Sequence, residues 1–173
     1  MTRSQLWTLA TLTTLMTSGL TTASLAANTD SGNVSLTASV AAAVKVTVAG
    51  AGNYNALLLT TTYSDEHVAN VNEKSNSRDG YTVTLKSANA GLLKNQYNGS
   101  VYNVTYTAKY GATGSESAAN LTTAGVLVTN VATAQDTVTN SDKVLKISFT
   151  GVNELEYLEG NYTDTLTFDI AAL

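Results

Sequence analysis

The sequence contains no cysteine and no proline. The first absence excludes disulfides, thiolate metal sites, thiol redox chemistry and lipid attachment to a cysteine. The second excludes a proline-containing sortase signal. Histidine occurs once, as His67, so no histidine-rich metal site can form and any Ser-His-acid triad would have to use that residue. Charge is scarce: 13% of residues are Asp, Glu, Lys or Arg, and the net charge of −4 leaves nucleic acid without an attractive surface. The nine Lys and Arg residues are scattered and form no patch. The most weakly charged stretch, Leu6 to Leu25, carries about seven Thr, a poor match to the ~20 predominantly apolar residues of a membrane span. No membrane insertion is expected.

What is present begins with Arg3, ahead of that Thr- and Leu-rich stretch and its exit Ser24-Leu25-Ala26. A charged start, an apolar middle and small residues at the exit predict a secretory signal peptide over residues 1–26. Cleavage there leaves about 147 residues from Ala27, the size of one domain.

Period-two alternation dominates the remainder. Val34, Leu36, Ala38, Val40, Ala42, Val44, Val46 and Val48 share one parity, with small or polar residues on most of the other. Such a run would extend roughly 45–50 Å, too long for one strand of a small sandwich, so two pieces meeting near Ala41-Ala42-Ala43 are expected. Further strands are predicted over Ala56–Thr62, Tyr81–Ser87, Val101–Lys109, Gly125–Val131, Lys143–Thr150 and Tyr162–Ile170. Asn, Gly and Ser clusters separate them, including Asn72–Gly80, and Asn98-Gly99 reads as a tight hairpin turn. Short strands at this spacing predict an all-β antiparallel sandwich or barrel.

Catalytic chemistry is hard to assemble from these residues. His67 lies in the run Asp65-Glu66-His67, expected as an exposed loop or a single helical turn. Glu154, Glu156 and Glu159 are expected in a solvated turn, and Asp136–Asp142 lacks the spacing and glycine of a calcium loop. No catalytic residue, metal ligand or cofactor is assigned, and the chain is expected not to be an enzyme. Tyr97, Tyr102, Tyr106 and Tyr110 allow two readings, a sugar-stacking ladder or a half-buried aromatic rim of a sheet. The ladder corresponds to a monomeric, secreted carbohydrate-binding module.

Three segments resemble chaperone–usher pilins of the archaic, spore-coat-protein-U-like group. Asn33–Val48 (NVSLTASVAAAVKVTV) is similar to the donor and first-strand region of that group. Val71–Asn89 (VNEKSNSRDGYTVTLKSAN) resembles its second-strand region, an Asn-rich approach to Gly-Tyr-x-Val-x-Leu. Leu158–Ala171 (LEGNYTDTLTFDIA) is similar to its closing strand, with Gly-x-Tyr-x-Asp-x-Leu-x-Phe. The resemblance implies an immunoglobulin-like antiparallel sandwich that lacks its last strand and is completed by a donor strand from a neighbouring subunit. On that reading residues 27–42 are the N-terminal donor extension and 43–173 the pilin domain. Val34, Leu36, Ala38 and Val40 would be the donor residues, and Leu166, Phe168 and Ile170 would line the acceptor groove. It also implies self-polymerisation, a periplasmic chaperone, an outer-membrane usher, and passage through the periplasm to a surface fimbria serving adhesion or biofilm formation. Members of the group often carry a disulfide near the first strand. Without cysteine, this chain must draw its stability from packing and from completion of the fold.

Overall fold

The computed structural model describes residues 31–98 and 100–173, so the expected signal peptide and the first residues of the expected extension lie outside the described residues. The chain divides after Ala38 into two units. Residues 31–38 contain no strand and are exposed.

The second unit is built of antiparallel strands: β1 (Val44–Gly50), β2 (Tyr63–Ser75), β3 (Tyr81–Ser87), β4 (Leu92–Tyr97), β5 (Ser100–Thr105), β6 (Thr107–Gly111), β7 (Ser117–Ala119), β8 (Val126–Val131), β9 (Thr139–Phe149) and β10 (Leu166–Ala172). One sheet has the order β1-β2-β9-β6-β7, a second β10-β3-β8, and β4 and β5 form a hairpin. In β3 the alternation puts Tyr81, Val83, Leu85 and Ser87 inside and Thr82, Thr84 and Lys86 at the margin. The five-stranded sheet answers with Val71, Ala108, Tyr110, Leu145 and Ile147, and both sheets feed one apolar cluster. The fold is all-β, with the layering of a β-sandwich. Each fully buried Val or Leu contributes about 1.5–3 kcal/mol relative to exposure.

Several predicted elements recur closely: Tyr81–Ser87 is β3 itself, Gly125–Val131 holds β8, and the C-terminal two-thirds of β9 falls on Lys143–Thr150. The overlong N-terminal alternation breaks where expected, and a side chain explains the break. Asn76 Oδ1 accepts from Ala43 N–H at 2.6 Å, and Asn76 Nδ2 donates to Ala41 O at 3.1 Å. The backbone groups of Ala41 and Ala43 are thus held by a side chain, and the ladder to β2 starts at Val44. β4 and β5 pair as a hairpin with Tyr97 opposite Ser100 and Asn98 at φ 47°, while Gly99 of the expected Asn98-Gly99 turn lies outside the described residues.

Other expectations are corrected. Ala56–Thr62 is not a strand: Ala56 N–H donates to Asn53 O and Thr61 N–H to Leu58 O, which closes turns. Leu57 and Leu59 still pack on the core while Leu58 is exposed, so alternation of burial survives without a ladder. Asp65-Glu66-His67 is not a loop but lies in β2, irregularly paired with β9. Part of the supposed loop Asn72–Gly80 is also β2, where Asn72, Glu73, Lys74 and Ser75 are all paired. Val101–Lys109 is two strands, because Tyr106 N–H donates to Gly91 O and the chain leaves the β4–β5 hairpin for the five-stranded sheet. The closing strand starts at Leu166 rather than Tyr162; upstream of it Thr163 bridges to Lys94.

Candidate functional site

Two strand edges meet without pairing. Among the described residues β1 is bonded only to β2 and β10 only to β3, and β1 lies beside β10 with no ladder between them. At one end the pair is tied through the turn from β2 to β3. Val44 pairs with Ser75 there, Ala172 pairs with Tyr81, Leu173 N–H donates to Gly80 O, and Ser77 Oγ donates to Leu173 O. Near the other end, by Gly50 and Leu166, a cleft of about 270 Å³ opens toward the core. Its walls include Val48 of β1, Leu57 of the following segment, Leu145 and Ile147 of β9, Tyr106, and Leu166 and Phe168 of β10. A groove between two edges that share no ladder, floored by apolar side chains, can offer both backbone hydrogen bonds and hydrophobic pockets to an added strand.

The residues singled out in the sequence fall as follows. Leu166, Phe168 and Ile170 share the inward face of β10, with Phe168 buried and the other two half-buried. Leu166 and Phe168 line the cleft; Ile170 packs on the core closer to the tied end and is not part of the cleft wall. Val34, Leu36, Ala38 and Val40 are in no strand and all exposed, the larger three at 86%, 93% and 89%.

Two carboxylates organise the surroundings of the cleft. Asp164, on the cleft wall, accepts at Oδ2 from Ser87 Oγ and Tyr106 Oη, both at 2.6 Å. Its Oδ1 accepts from the backbone N–H groups of Asn89 and Thr165 at 2.9 and 2.7 Å. Glu73, on β2, is completely buried. It accepts from Tyr110 Oη at 2.7 Å, Thr129 Oγ1 at 2.8 Å and Tyr81 Oη at 2.9 Å. Burial pushes the phenols of Tyr81, Tyr106 and Tyr110 well above the ordinary tyrosine range, and the carboxylate each one meets pushes it further.

Sequence reasoning missed Glu73 as a core residue. The available signal was parity: Val71, Glu73 and Ser75 occupy one face of β2, which places a charge on the inward side. It also located the tyrosines wrongly. Tyr106 and Tyr110 are 5% and 3% exposed, Tyr102 is half-buried and Tyr97 is exposed; Tyr97 and Tyr102 lie on the β4–β5 hairpin, Tyr110 on β6 and Tyr106 between β5 and β6. The four form neither a ladder nor a common rim, because the chain changes sheet at Tyr106. His67 is half-buried, with Nε2 3.1 Å from Ala69 O. Glu154, Glu156 and Glu159 are exposed ahead of β10. Among the described residues no three His, Cys, Asp or Glu side chains converge as a metal site, and no helix is long and apolar enough to cross a membrane. No protein-family model, curated protein or solved structure matches this chain.

Proposed function

We propose that the protein is a structural subunit of a bacterial surface fibre, a pilin of the chaperone–usher kind that polymerises by donor-strand complementation. The single observation that carries this reading is the apolar cleft between the unpaired edges of β1 and β10. An open, apolar slot beside the C-terminal strand is what an immunoglobulin-like fold short of one strand would present, and an incomplete edge of this kind is a hazard unless covered.

The chain also carries a suitable cover. Val34, Leu36, Ala38 and Val40 alternate with polar residues, belong to no strand and are exposed. In a neighbouring copy they would extend along β10, their side chains entering the slot lined by Leu166 and Phe168. Burying these four side chains is worth about 4–8 kcal/mol on area alone, before strand hydrogen bonds are added. One copy supplies the slot and the next supplies the strand, so the interaction is heterologous and propagates as a filament rather than closing as a dimer. Export by the segment 1–26, delivery by a periplasmic chaperone and an outer-membrane usher, and a role in adhesion or biofilm formation belong to the same reading.

Size analysis of the chain from Ala27, with and without residues 27–42, before and after boiling in detergent, tests it. The reading expects a ladder of detergent-resistant multimers that the truncation abolishes. A stable monomer from both, or multimers from the truncated chain, would remove it.

A further inference from the structure

Glu73 has no place in the strand-uptake reading as stated, yet its burial demands an explanation. A carboxylate with no exposed surface and no ion pair among the described residues is costly to bury, and only its three hydroxyl donors offset that cost. Those donors come from both layers: Tyr110 from β6 of the five-stranded sheet, Tyr81 and Thr129 from β3 and β8 of the opposing one. The carboxylate therefore joins the two sheets across the core.

Tyr110 leads from there to the cleft. Its ring packs against that of Phe168, with centroids 5.2 Å apart and planes tilted by 42°. Phe168 is a cleft wall. Asp164 repeats the arrangement more directly, because the tyrosine it holds, Tyr106, is itself a cleft wall. Each carboxylate thus fixes the hydroxyl tip of a tyrosine whose ring forms or supports the apolar floor. Apolar side chains around an unfilled slot tend to shift inward and close it, since voids forfeit packing contacts. A charge-assisted hydrogen bond is directional and short, and it holds a ring where packing alone would let it swing.

We propose that Glu73 and Asp164 are positioning residues for strand uptake, keeping the groove open in the unoccupied subunit by anchoring Tyr110 and Tyr106. The proposal rests on the fibre reading and adds to it the means by which a chain without disulfides keeps an acceptor site formed before its donor arrives.

The test follows multimer formation by the chain from Ala27 over time, alongside the thermal unfolding of the monomer. Tyr110→Phe and Tyr106→Phe keep the rings and remove only the anchoring hydroxyls. Val83→Ala is the comparison, a fully buried position outside the cleft wall that lowers stability without touching either anchor. Expected is assembly slowed about tenfold by each Tyr→Phe change, the scale of one lost hydrogen bond to a charged group. Val83→Ala is expected to assemble at close to the parental rate despite comparable loss of thermal stability. In a Phe168→Leu background, Tyr110→Phe should slow assembly no further, because its effect runs through Phe168. Assembly of both Tyr→Phe variants at the parental rate, or slowing equal to that of Val83→Ala, overturns the positioning role and leaves the fibre reading intact. A parental chain that never forms multimers overturns the fibre reading itself and this proposal with it.

Discussion

At the scale of single residues, the motifs noted in the sequence acquire physical roles. In Gly-Tyr-x-Val-x-Leu, Tyr81, Val83 and Leu85 are the inward face of β3, and Gly80 allows the turn that enters it. Gly80 has φ +98°, and a Cβ there would lie 1.6 Å from Val131 O. Gly80→Ala must strain the backbone and move a neighbouring strand, so a loss of about 2 kcal/mol or more is expected. An unchanged urea midpoint would contradict the turn described here. In Gly-x-Tyr-x-Asp-x-Leu-x-Phe, Asp164 is a hub of four hydrogen bonds, and Leu166 and Phe168 are cleft walls. Glu73 was not legible as a core residue because a charged side chain among Asn, Lys and Ser reads as a polar approach. Only its partners, three hydroxyls distant in sequence, make the site habitable. Glu73→Ala strands those hydroxyls and leaves a cavity, with an expected cost of about 3 kcal/mol or more. Equilibrium urea unfolding checks it, as a lowered midpoint at constant slope.

At the scale of elements, alternation located β1, β3, β8, β9 and β10 because each presents one apolar face to a shared core. It failed where burial and pairing part company. Leu57 and Leu59 alternate inward from a segment whose backbone is closed into turns, and the start of β2 carries too few apolar residues to betray its pairing with β9. The same alternation makes the proposed donor testable by parity. Leu36 is 93% exposed, so Leu36→Asp should leave the melting of the monomer unchanged. In the fibre it would drive a carboxylate into an apolar slot and forfeit about 1.5–3 kcal/mol of burial besides, so multimers should be lost. Thr37→Asp, one residue on and facing out of the slot, should assemble normally. Equal loss from both substitutions on a detergent gel would show that the segment does not bind in the proposed register.

At the scale of the whole molecule, the fold class was legible because antiparallel strands write their burial into every second residue. The means of holding two sheets together without disulfides was not, since it depends on carboxylates meeting tyrosines far away in the chain. That dependence sets how the protein should respond to alkali. Tyr81, Tyr106 and Tyr110 keep their protons in the folded state far above the ordinary range, chiefly because burial penalises the phenolate. In the unfolded chain the same phenols ionise near pH ~10. Below that pH both states hold the protons and the stabilisation is complete. Above it the unfolded state binds fewer protons, so stability falls as pH rises toward the folded values, by about 1.4 kcal/mol per phenol per pH unit. The Lys86–Asp169 and Lys109–Asp65 ion pairs are roughly half-exposed and contribute little. Three phenols together would consume much of a typical domain's 5–15 kcal/mol within one to two units above pH ~10. Tyrosinate absorbance followed with far-ultraviolet circular dichroism should therefore contain a late step that coincides with loss of strand signal. In Tyr110→Phe that step should shrink by one tyrosine. Complete tyrosine ionisation while the strand signal persists would mean that the carboxylate-anchored phenols are open to solvent, and the two anchors would then not be holding the core.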